Sequence, residues 1–242
     1  MMELTERQTQ LLKSIVEEYI STAQPVGSVN LVEKQGLNVS SATVRNEMAR
    51  LLKAGFLEQP HTSAGRIPTT LCLRHYLNTI MQEVELPVLK EVAFKQRLWQ
   101  ERFEPDRMLR QAALALAEAT GYLAFVTAGV GRLSSAGVAN ILDHPEFFDI
   151  DVTKAVLSLL DNDANFHSLL AKARVEAEVH ALIGEELGEA NLENCAVVFS
   201  PFKTSKLEGH VGVFGPARID YAKIIPTVRY FRNLINEMGQ GW

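Results

Sequence analysis

The chain has 242 residues, of which 47% are hydrophobic and 22% charged, and its formal net charge is -5. This composition is typical of a folded globular protein, and the length suits two domains of ordinary size, so extensive disorder is excluded. The two cysteines, Cys72 and Cys195, lie far apart and outside any metal-ligand spacing, which excludes a disulfide framework or a zinc site and indicates a reducing compartment. A polar N-terminal sequence and the lack of an apolar run of membrane-spanning length predict a cytoplasmic protein without a membrane partner.

The negative net charge is unusual for a nucleic-acid binder, because neutralisation of phosphates by Lys and Arg supplies most of the non-specific affinity. The charge is unevenly distributed, however. Residues 37–76 contain five basic and two acidic side chains, namely Arg45, Arg50, Lys53, Arg66 and Arg74 against Glu47 and Glu58. This basic region permits DNA binding that depends on base contacts and dimerisation.

Three amphipathic helices are predicted before residue 55. Thr5 and Gln8 have capping-box spacing at the start of the first helix, and a Ser precedes each of the other two. The first helix is predicted to begin at Thr5 and to end before Pro25. The second covers residues 29–35, with Ser28 as its cap and Gly36 as its stop. After a tight turn over 37–40, the third is capped by Ser40 or Ser41 and ends at about Ala54, before Gly55. Three short helices in this order indicate a helix-turn-helix.

The third predicted helix has two different faces. Val44, Met48, Leu51 and Leu52 cluster on one side, whereas the other side is small, polar and basic: Ala42, Thr43, Asn46, Ala49, Arg50 and Lys53. A face without bulky apolar groups, carrying amides and guanidinium groups, suits a major groove about 12 Å wide. An ordinary solvated helix face has the same composition, so the pattern alone does not decide between the two.

A hairpin is predicted after the third helix. Residues 56–59 form its first strand, residues 60–66 its polar loop, and Ile67 and Pro68 the return. Gly65 is expected to supply a positive φ, and Arg66 lies beside it, as in a wing that places a cation on a minor groove or a phosphate. A fourth helix capped by Thr69 or Thr70 runs to about Met81 and completes a winged-helix unit, residues 1–82.

The rest of the chain alternates helices and strands. Two helical stretches between residues 84 and 120 are separated at Glu104 and Pro105, and residues 83–121 are expected to be a helical linker that supplies dimerisation helices. The remaining predicted elements are strands at 122–128, 178–183, 195–201 and 210–214, helices at 151–161 (capped by Asp151) and 164–173, a Gly- and Ser-rich crossing without a period at 129–137, and a last helix from Asp220 to about Met238, kinked or restarted at Pro226. Helices beside an antiparallel sheet make residues 122–242 an α+β domain.

Two long runs carry a family resemblance. The segments Ser40–Met48 and Gly55–Thr69 resemble the HrcA family of heat-shock repressors, and the likeness resumes at residues 144–149, 183–186 and 211–221. The resemblance implies a winged helix followed by a GAF-like domain, in a homodimer that represses chaperone operons by binding double-stranded DNA at an inverted repeat, with activity that depends on the chaperonin.

The resemblance places Thr43, Asn46 and Arg50 on the recognition helix and His61 and Arg66 on the wing. Together with the basic face, the expected DNA-binding residues are Ser41, Thr43, Arg45, Asn46, Arg50, Lys53, His61, Thr62, Ser63 and Arg66. The sequence departs from the family between Ala128 and Val138, where the family has further strands and an inserted dimerisation segment. The GAF-like domain is therefore expected to be truncated, and the usual dimer surface of the family to be missing from it.

No residue pattern in the sequence supports catalysis or cofactor binding. Asp143, His144, Glu146 and Asp149 match no metal-ligand motif and are expected to form a polar loop, and Cys195 is expected to be a core thiol rather than a nucleophile paired with His210. Two alternative functions stay open. A small-molecule-sensing regulator would need an apolar pocket with convergent polar groups in residues 122–220, and a winged-helix protein-interaction module would bury its third helix.

Overall fold

The computed structural model describes residues 4–35, 40–62, 64–129, 131–173 and 177–241. Contacts within the chain divide it into two units, Met1–Gln82 and Glu83–Trp242. Both combine helices with antiparallel strands, which confirms the α+β class. No helix in the described ranges is long and apolar enough to cross a membrane.

The described residues of the first unit form four α-helices and a short hairpin. Its elements are α1 (Glu6–Thr22), α2 (Ser28–Gln35), α3 (Ser41–Lys53), β1 (Leu57–Glu58), β2 (Ile67–Pro68) and α4 (Thr70–His75). The capping box of Thr5 and Gln8 is present at α1, and Ser40 caps α3. The stop at Gly36 and most of the turn over 37–40 lie outside the described residues. Strand β1 pairs antiparallel with β2, and α4 continues as a π-helical turn, Tyr76–Ile80, in which the amide of Met81 donates to the carbonyl of Tyr76.

The second unit is built on a five-stranded antiparallel sheet with the order β4-β3-β7-β6-β5. Its elements are α5 (Val88–Gln100), α6 (Pro105–Thr120), β3 (Leu123–Thr127), β4 (Leu133–Ala136), α7 (Ile150–Asp161), α8 (Asp163–Leu170), β5 (His180–Ile183), β6 (Cys195–Lys203), β7 (Glu208–Pro216) and α9 (Tyr221–Gly239). Short 3-10 turns cover Val138–Asp143, Pro145–Phe148 and Gly184–Leu187. Residues 83–121 belong to this unit.

The central strands of this sheet are buried on both faces. Alternate residues such as Phe125, Val197 and Phe214 join a core cluster with Val156 of α7 and Phe166 of α8. The residues between them are buried as well, and α6 and α9 pack against the sheet and each other. This double coverage explains why β3 is apolar from Leu123 to Val126.

Four details of the second unit differ from the sequence-based expectation. The crossing at 129–137 contains an edge strand, β4, which pairs with β3; its serines obscure the period because an edge strand tolerates polar residues. Helix α7 is capped by Asp149 rather than Asp151, since the Asp149 carboxylate accepts the Asp151 amide at 2.9 Å. The β6–β7 ladder extends to the pair Lys203 and Glu208, beyond the strands predicted. Helix α8 runs over 163–170 rather than 164–173.

A further difference lies in α9, which continues through Pro226. Proline has no amide hydrogen, so the carbonyl of Ala222 has no partner within the helix. The amide of Val84 donates to that carbonyl at 2.9 Å. A donor from outside the helix therefore compensates for the proline, and no restart is needed.

Candidate nucleic-acid interface

The exposed face of α3 includes most of the basic face that the helical wheel predicts, while Thr43 and Ala49 of that face are half-buried. Val44, Met48 and Leu51 are buried in the first unit. Arg45, Asn46, Arg50 and Lys53 are exposed, with Arg50 and Lys53 in the last turn. A positively charged last turn also complements the negative end of the helix dipole.

The first turn of α3 is occupied with capping. The Ser40 hydroxyl accepts the amide of Thr43 at 3.2 Å and lies 2.9 Å from the hydroxyl of Thr43. Ser41 and Thr43 are both half-buried. Ser40 and Thr43 thus fix the start of the helix, and the exposed polar and basic groups lie further along it.

A polar chain connects α1 to the exposed face of α3. The Gln8 side chain accepts the Thr5 amide at 3.0 Å and donates to one carboxylate oxygen of Glu47 at 3.2 Å. The other oxygen of Glu47 accepts from the guanidinium of Arg50 at 3.0 Å. The Glu47 side chain is 13% exposed and that of Arg50 is 68% exposed, so a fixed carboxylate holds a cation at the surface.

The loop of the hairpin is held by its own side chains. The Gln59 amide group donates to the carbonyls of Thr62 and Ala64 at 2.8 and 3.1 Å. His61 and Thr62 are exposed at the tip, and Ser63 lies outside the described residues. The loop therefore presents polar side chains from a braced backbone.

Arg66 takes part in the structure of the hairpin. Its amide and carbonyl both bond to Val26, at 2.9 and 2.8 Å, which ties the hairpin to the segment between α1 and α2. Its guanidinium is half-buried and donates to the carbonyl of Ala64 at 3.2 Å. In this conformation the side chain folds back on the loop and does not extend outward.

The expected positive φ at Gly65 is wrong. Gly65 is not among the residues with positive φ; among the described residues of the first unit those are Ala23 and Gly55. A Cβ at Gly65 would instead lie 2.5 Å from the carbonyl oxygen of Val26. Glycine is needed here because two backbones approach closely at the Val26–Arg66 bridge.

A cleft of about 420 Å³ lies between the N-terminus of α2, α3 and the hairpin loop. Arg45, Arg66, Ser28 and Gln59 are among the polar residues that line it. No acidic side chain belongs to its lining within the described residues. The cleft therefore attracts anions, and the N-terminus of α2 adds to this field.

Sequence reasoning missed four contributors to this surface: Gln8, Val26, Glu47 and Gln59. The spacing of Glu47 and Arg50 by three residues signals an intrahelical ion pair. The other contacts join segments distant in sequence or depend on the loop conformation, so no local sequence pattern predicts them.

The polar residues 143–149 have structural partners. The Glu146 carboxylate accepts two bonds from Arg218, at 2.6 and 3.1 Å, and both side chains are largely buried. The His144 ring stacks on Tyr122 with centroids 5.0 Å apart, and burial lowers its pKa. Among the described residues no group of His, Cys, Asp or Glu could hold a metal.

Cys195 and His210 do not face each other. Cys195 pairs with Pro216, whereas His210 pairs with Pro201 much further along the same ladder. Burial raises the pKa of the Cys195 thiol to about 12. The thiol is a core group, as the sequence predicts.

A hollow of about 610 Å³ in the second unit bears on the small-molecule alternative. His167, His210, Lys203 and Arg232 are among its lining residues. Burial lowers the pKa of His210 to about 4, and its amide donates to the Thr127 hydroxyl at 2.9 Å. Charged side chains and imidazoles thus converge on this hollow, together with apolar groups such as Pro201 and Phe202.

Comparisons with known proteins place the chain in a family. The family profile described as HrcA protein C terminal domain matches residues 37–225. The chain belongs to the HrcA family. Two relatives are both named heat-inducible transcription repressor HrcA: that of Symbiobacterium thermophilum is 25% identical, over 98% of this chain and 99% of the relative, and that of Desulforudis audaxviator is 28% identical, over 96% and 97%. The HrcA family is thus a family of transcription repressors.

A solved structure shares the fold. It is described only as a hypothetical protein, superposes with a TM-score of 0.79 and 20% identity, and the match covers 99% of both chains. The comparison with HrcA of S. thermophilum also shows a difference in length, since it extends over 338 positions and this chain has 242 residues, so at least 96 positions lack a counterpart here. In this chain β3 and β4 are joined by residues 128–132 alone.

Proposed function

We propose that this protein is a cytoplasmic repressor of heat-shock genes that binds an inverted-repeat DNA operator as a homodimer and acts by binding, not by catalysis. The observation that carries the proposal is the exposed face of α3, on which Arg45, Asn46, Arg50 and Lys53 project from a helix buried on its other side. Membership of a family of heat-inducible transcription repressors supports the same conclusion.

In this proposal the first unit acts as a winged helix-turn-helix, with α3 in a major groove. Asn46 and Arg50 read base edges, an amide pairing with adenine and a guanidinium with guanine. Arg45 and Lys53 contact phosphates on either side. Ser41 and Thr43 lie at the N-terminal end of the helix, which approaches the DNA backbone with the positive end of its dipole toward a phosphate.

The hairpin acts as the wing. His61, Thr62 and Ser63 contact the DNA backbone beside the major groove, and the cleft lined by Arg45 and Arg66 accommodates phosphate groups. Arg66 must release the carbonyl of Ala64 to reach DNA. Its contribution is therefore smaller than that of Arg50, which already lies at the surface.

Two subunits place their α3 helices in successive major grooves, and the bound dimer excludes RNA polymerase. The second unit acts as a truncated GAF-like domain, and family likeness assigns control of repression to the chaperonin. A ramp of temperature with and without chaperonin tests that control, because operator affinity must change with at least one of them.

The direct test is titration of a fluorescent inverted-repeat duplex with the full chain over a series of salt concentrations. We expect tighter binding to the repeat than to a scrambled duplex, and a slope of log affinity against log salt that reports the number of phosphates contacted. Equal affinity for both duplexes at every salt concentration would disprove operator recognition.

One structural observation favours the small-molecule-sensing alternative. The hollow lined by His167, His210 and Arg232 could receive a small anionic molecule, which would make the second unit a ligand sensor. The protein-interaction alternative is disfavoured because the polar face of α3 is exposed.

A further inference from the structure

Helix α5 carries two apolar faces, and its own unit covers only one. On the inner face Leu98 is fully buried and the ring of Phe94 packs against Phe231 with centroids 5.3 Å apart. The outer stripe consists of Val88, Val92 and Trp99 on α5 and Phe103 in the turn that follows it, all exposed. Exposed apolar side chains that form a contiguous patch mark an interaction surface.

The residues of the outer stripe are spaced symmetrically in sequence about a midpoint. Val88 and Phe103 are equally distant from a point between Lys95 and Gln96, and so are Val92 and Trp99. Val88, Val92 and Trp99 fall within about 40° of one another on a helix of 3.6 residues per turn. A two-fold axis through the midpoint would therefore place each aliphatic residue of one copy opposite an aromatic residue of the other, as an isologous interface requires.

The charges along the stripe fit the same pairing. Glu91 lies in the first turn of α5, at the aliphatic end. The Arg102 guanidinium covers the aromatic end, 4.3 Å from the ring of Trp99 and 4.1 Å from that of Phe103. Antiparallel pairing brings Glu91 of one copy toward Arg102 of the other. Lys95, at the centre, does not oppose this because its ammonium group binds Glu237 of α9 at 2.6 Å.

We infer that the outer stripe of α5 is the surface through which two copies of this chain dimerise, by antiparallel pairing of their α5 helices. The inference rests on the proposed function, which requires a dimer and leaves its surface unassigned. It also accounts for dimerisation in a chain at least 96 aligned positions short of one of its relatives.

The first test measures the mass of the full chain in solution without DNA, by sedimentation or light scattering. We expect twice the chain mass of 26.9 kDa for the natural protein. Val88→Glu is compared with Ile150→Glu, because both residues begin a helix and are 70% and 72% exposed. Val88→Glu should raise the dissociation constant of the dimer at least about tenfold, because it replaces an apolar contact with the aromatic end of the other copy by a carboxylate that must lose its water, and Ile150→Glu should leave it unchanged.

The second test exchanges the charges. Glu91→Arg and Arg102→Glu should each weaken association, and the double variant should associate more tightly than either single one. A monomeric natural protein at 100 µM (about a hundred times a micromolar dissociation constant), an effect of Ile150→Glu equal to that of Val88→Glu, or a double variant weaker than both single ones would each overturn the inference. Thermal unfolding of every variant shows whether a drop in mass reflects misfolding.

The two proposals fail separately in these experiments. A dimer that responds to the α5 variants but does not distinguish the repeat from a scrambled duplex supports this surface and refutes the operator. If the natural protein recognises the repeat and Val88→Glu and the charge variants bind it with unchanged affinity, this dimer surface is refuted and the proposed repressor function is not.

Discussion

Glu47 holds the guanidinium of Arg50 at 3.0 Å while its second carboxylate oxygen accepts a bond from Gln8. The carboxylate is largely buried and belongs to a series of hydrogen bonds that begins at the cap of α1, so its position is fixed by two helices. Arg50 is thus oriented before any ligand arrives. An orienting carboxylate reduces the rotamer entropy lost on binding, but it also opposes DNA electrostatically, and these two effects can be separated by mutation.

Arg50→Ala should weaken binding to the operator by about 1–3 kcal/mol and relax the preference for one base pair, because it removes a bidentate hydrogen bond to a base. Lys53→Ala is the matched control on the same turn. It should weaken binding to all sequences alike and reduce the salt slope by about 1, as expected for one phosphate neighbour. Equal losses on operator and random duplexes for Arg50→Ala would contradict base reading.

Glu47→Gln keeps the size of the side chain and removes its charge. We expect tighter binding to random DNA, since a negative charge near the phosphates is gone, together with a smaller ratio of specific to non-specific affinity, since Arg50 loses its orienting partner. The measurement is paired titration of the repeat and a scrambled duplex. If the ratio stayed constant while both affinities rose, Glu47 would influence only the overall field.

Gly65→Ala should destabilise the first unit by roughly 1–3 kcal/mol, because a methyl group would collide with the Val26 carbonyl and separate the backbone bridge between Val26 and Arg66. Gly27→Ala is the control, since no atom lies within 4 Å of a Cβ there. It should change the free energy of unfolding by less than about 1 kcal/mol. Urea unfolding gives both values, and faster hydrogen exchange at the amides of Val26 and Arg66 would locate the damage.

The exposed face of α3 could be predicted from the sequence because a helix with one buried face has a period that its residues display directly. The cap at Ser40 and the burial of Val44, Met48 and Leu51 follow from the same pattern. The Val26–Arg66 bridge could not be predicted in this way. It joins main-chain groups 40 residues apart. Such a pair imposes no side-chain pattern on the sequence other than the glycine beside it.

Strand β4 and the course of α9 show a second kind of limit. An edge strand needs only one partner and can carry serines on its exposed side, so β4 lacks the alternation that marks inner strands. Pro226 predicts a kink or a restart in α9 from local rules alone. The helix does not restart, and the donor that makes a restart unnecessary, the Val84 amide, belongs to a segment 138 residues before Ala222. Local rules fail where a distant group satisfies the backbone.

Glu146→Ala should destabilise the second unit by about 3–5 kcal/mol, because it leaves the buried guanidinium of Arg218 without its two-pronged partner. Glu104→Ala serves as control, since its ion pair with Arg107 at 3.1 Å is exposed and its removal should cost less than about 1 kcal/mol. Chemical unfolding of both variants checks the difference. Similar small effects for the two would mean that the Arg218 pair is solvated.

The stability of the second unit should fall as the pH drops from about 6.5 to about 4, with His210 as a main cause. Burial, followed by the charges of His167 and His180, lowers the pKa of His210 from 6.5 to about 4, so the folded chain keeps this ring neutral where the unfolded chain takes up a proton. Where the unfolded state binds more protons, stability decreases with decreasing pH. His210→Gln should flatten the curve in this window by about 1–2 kcal/mol, given 1.36 kcal/mol per pKa unit and a discount for the partly hydrated ring. Burial lowers the pKa of His144 and His180 as well, so part of the slope should persist. Urea unfolding of both proteins at pH 7, 5.5 and 4.5 measures the slopes, and parallel curves would show that His210 takes up its proton in the folded chain as readily as in the unfolded one.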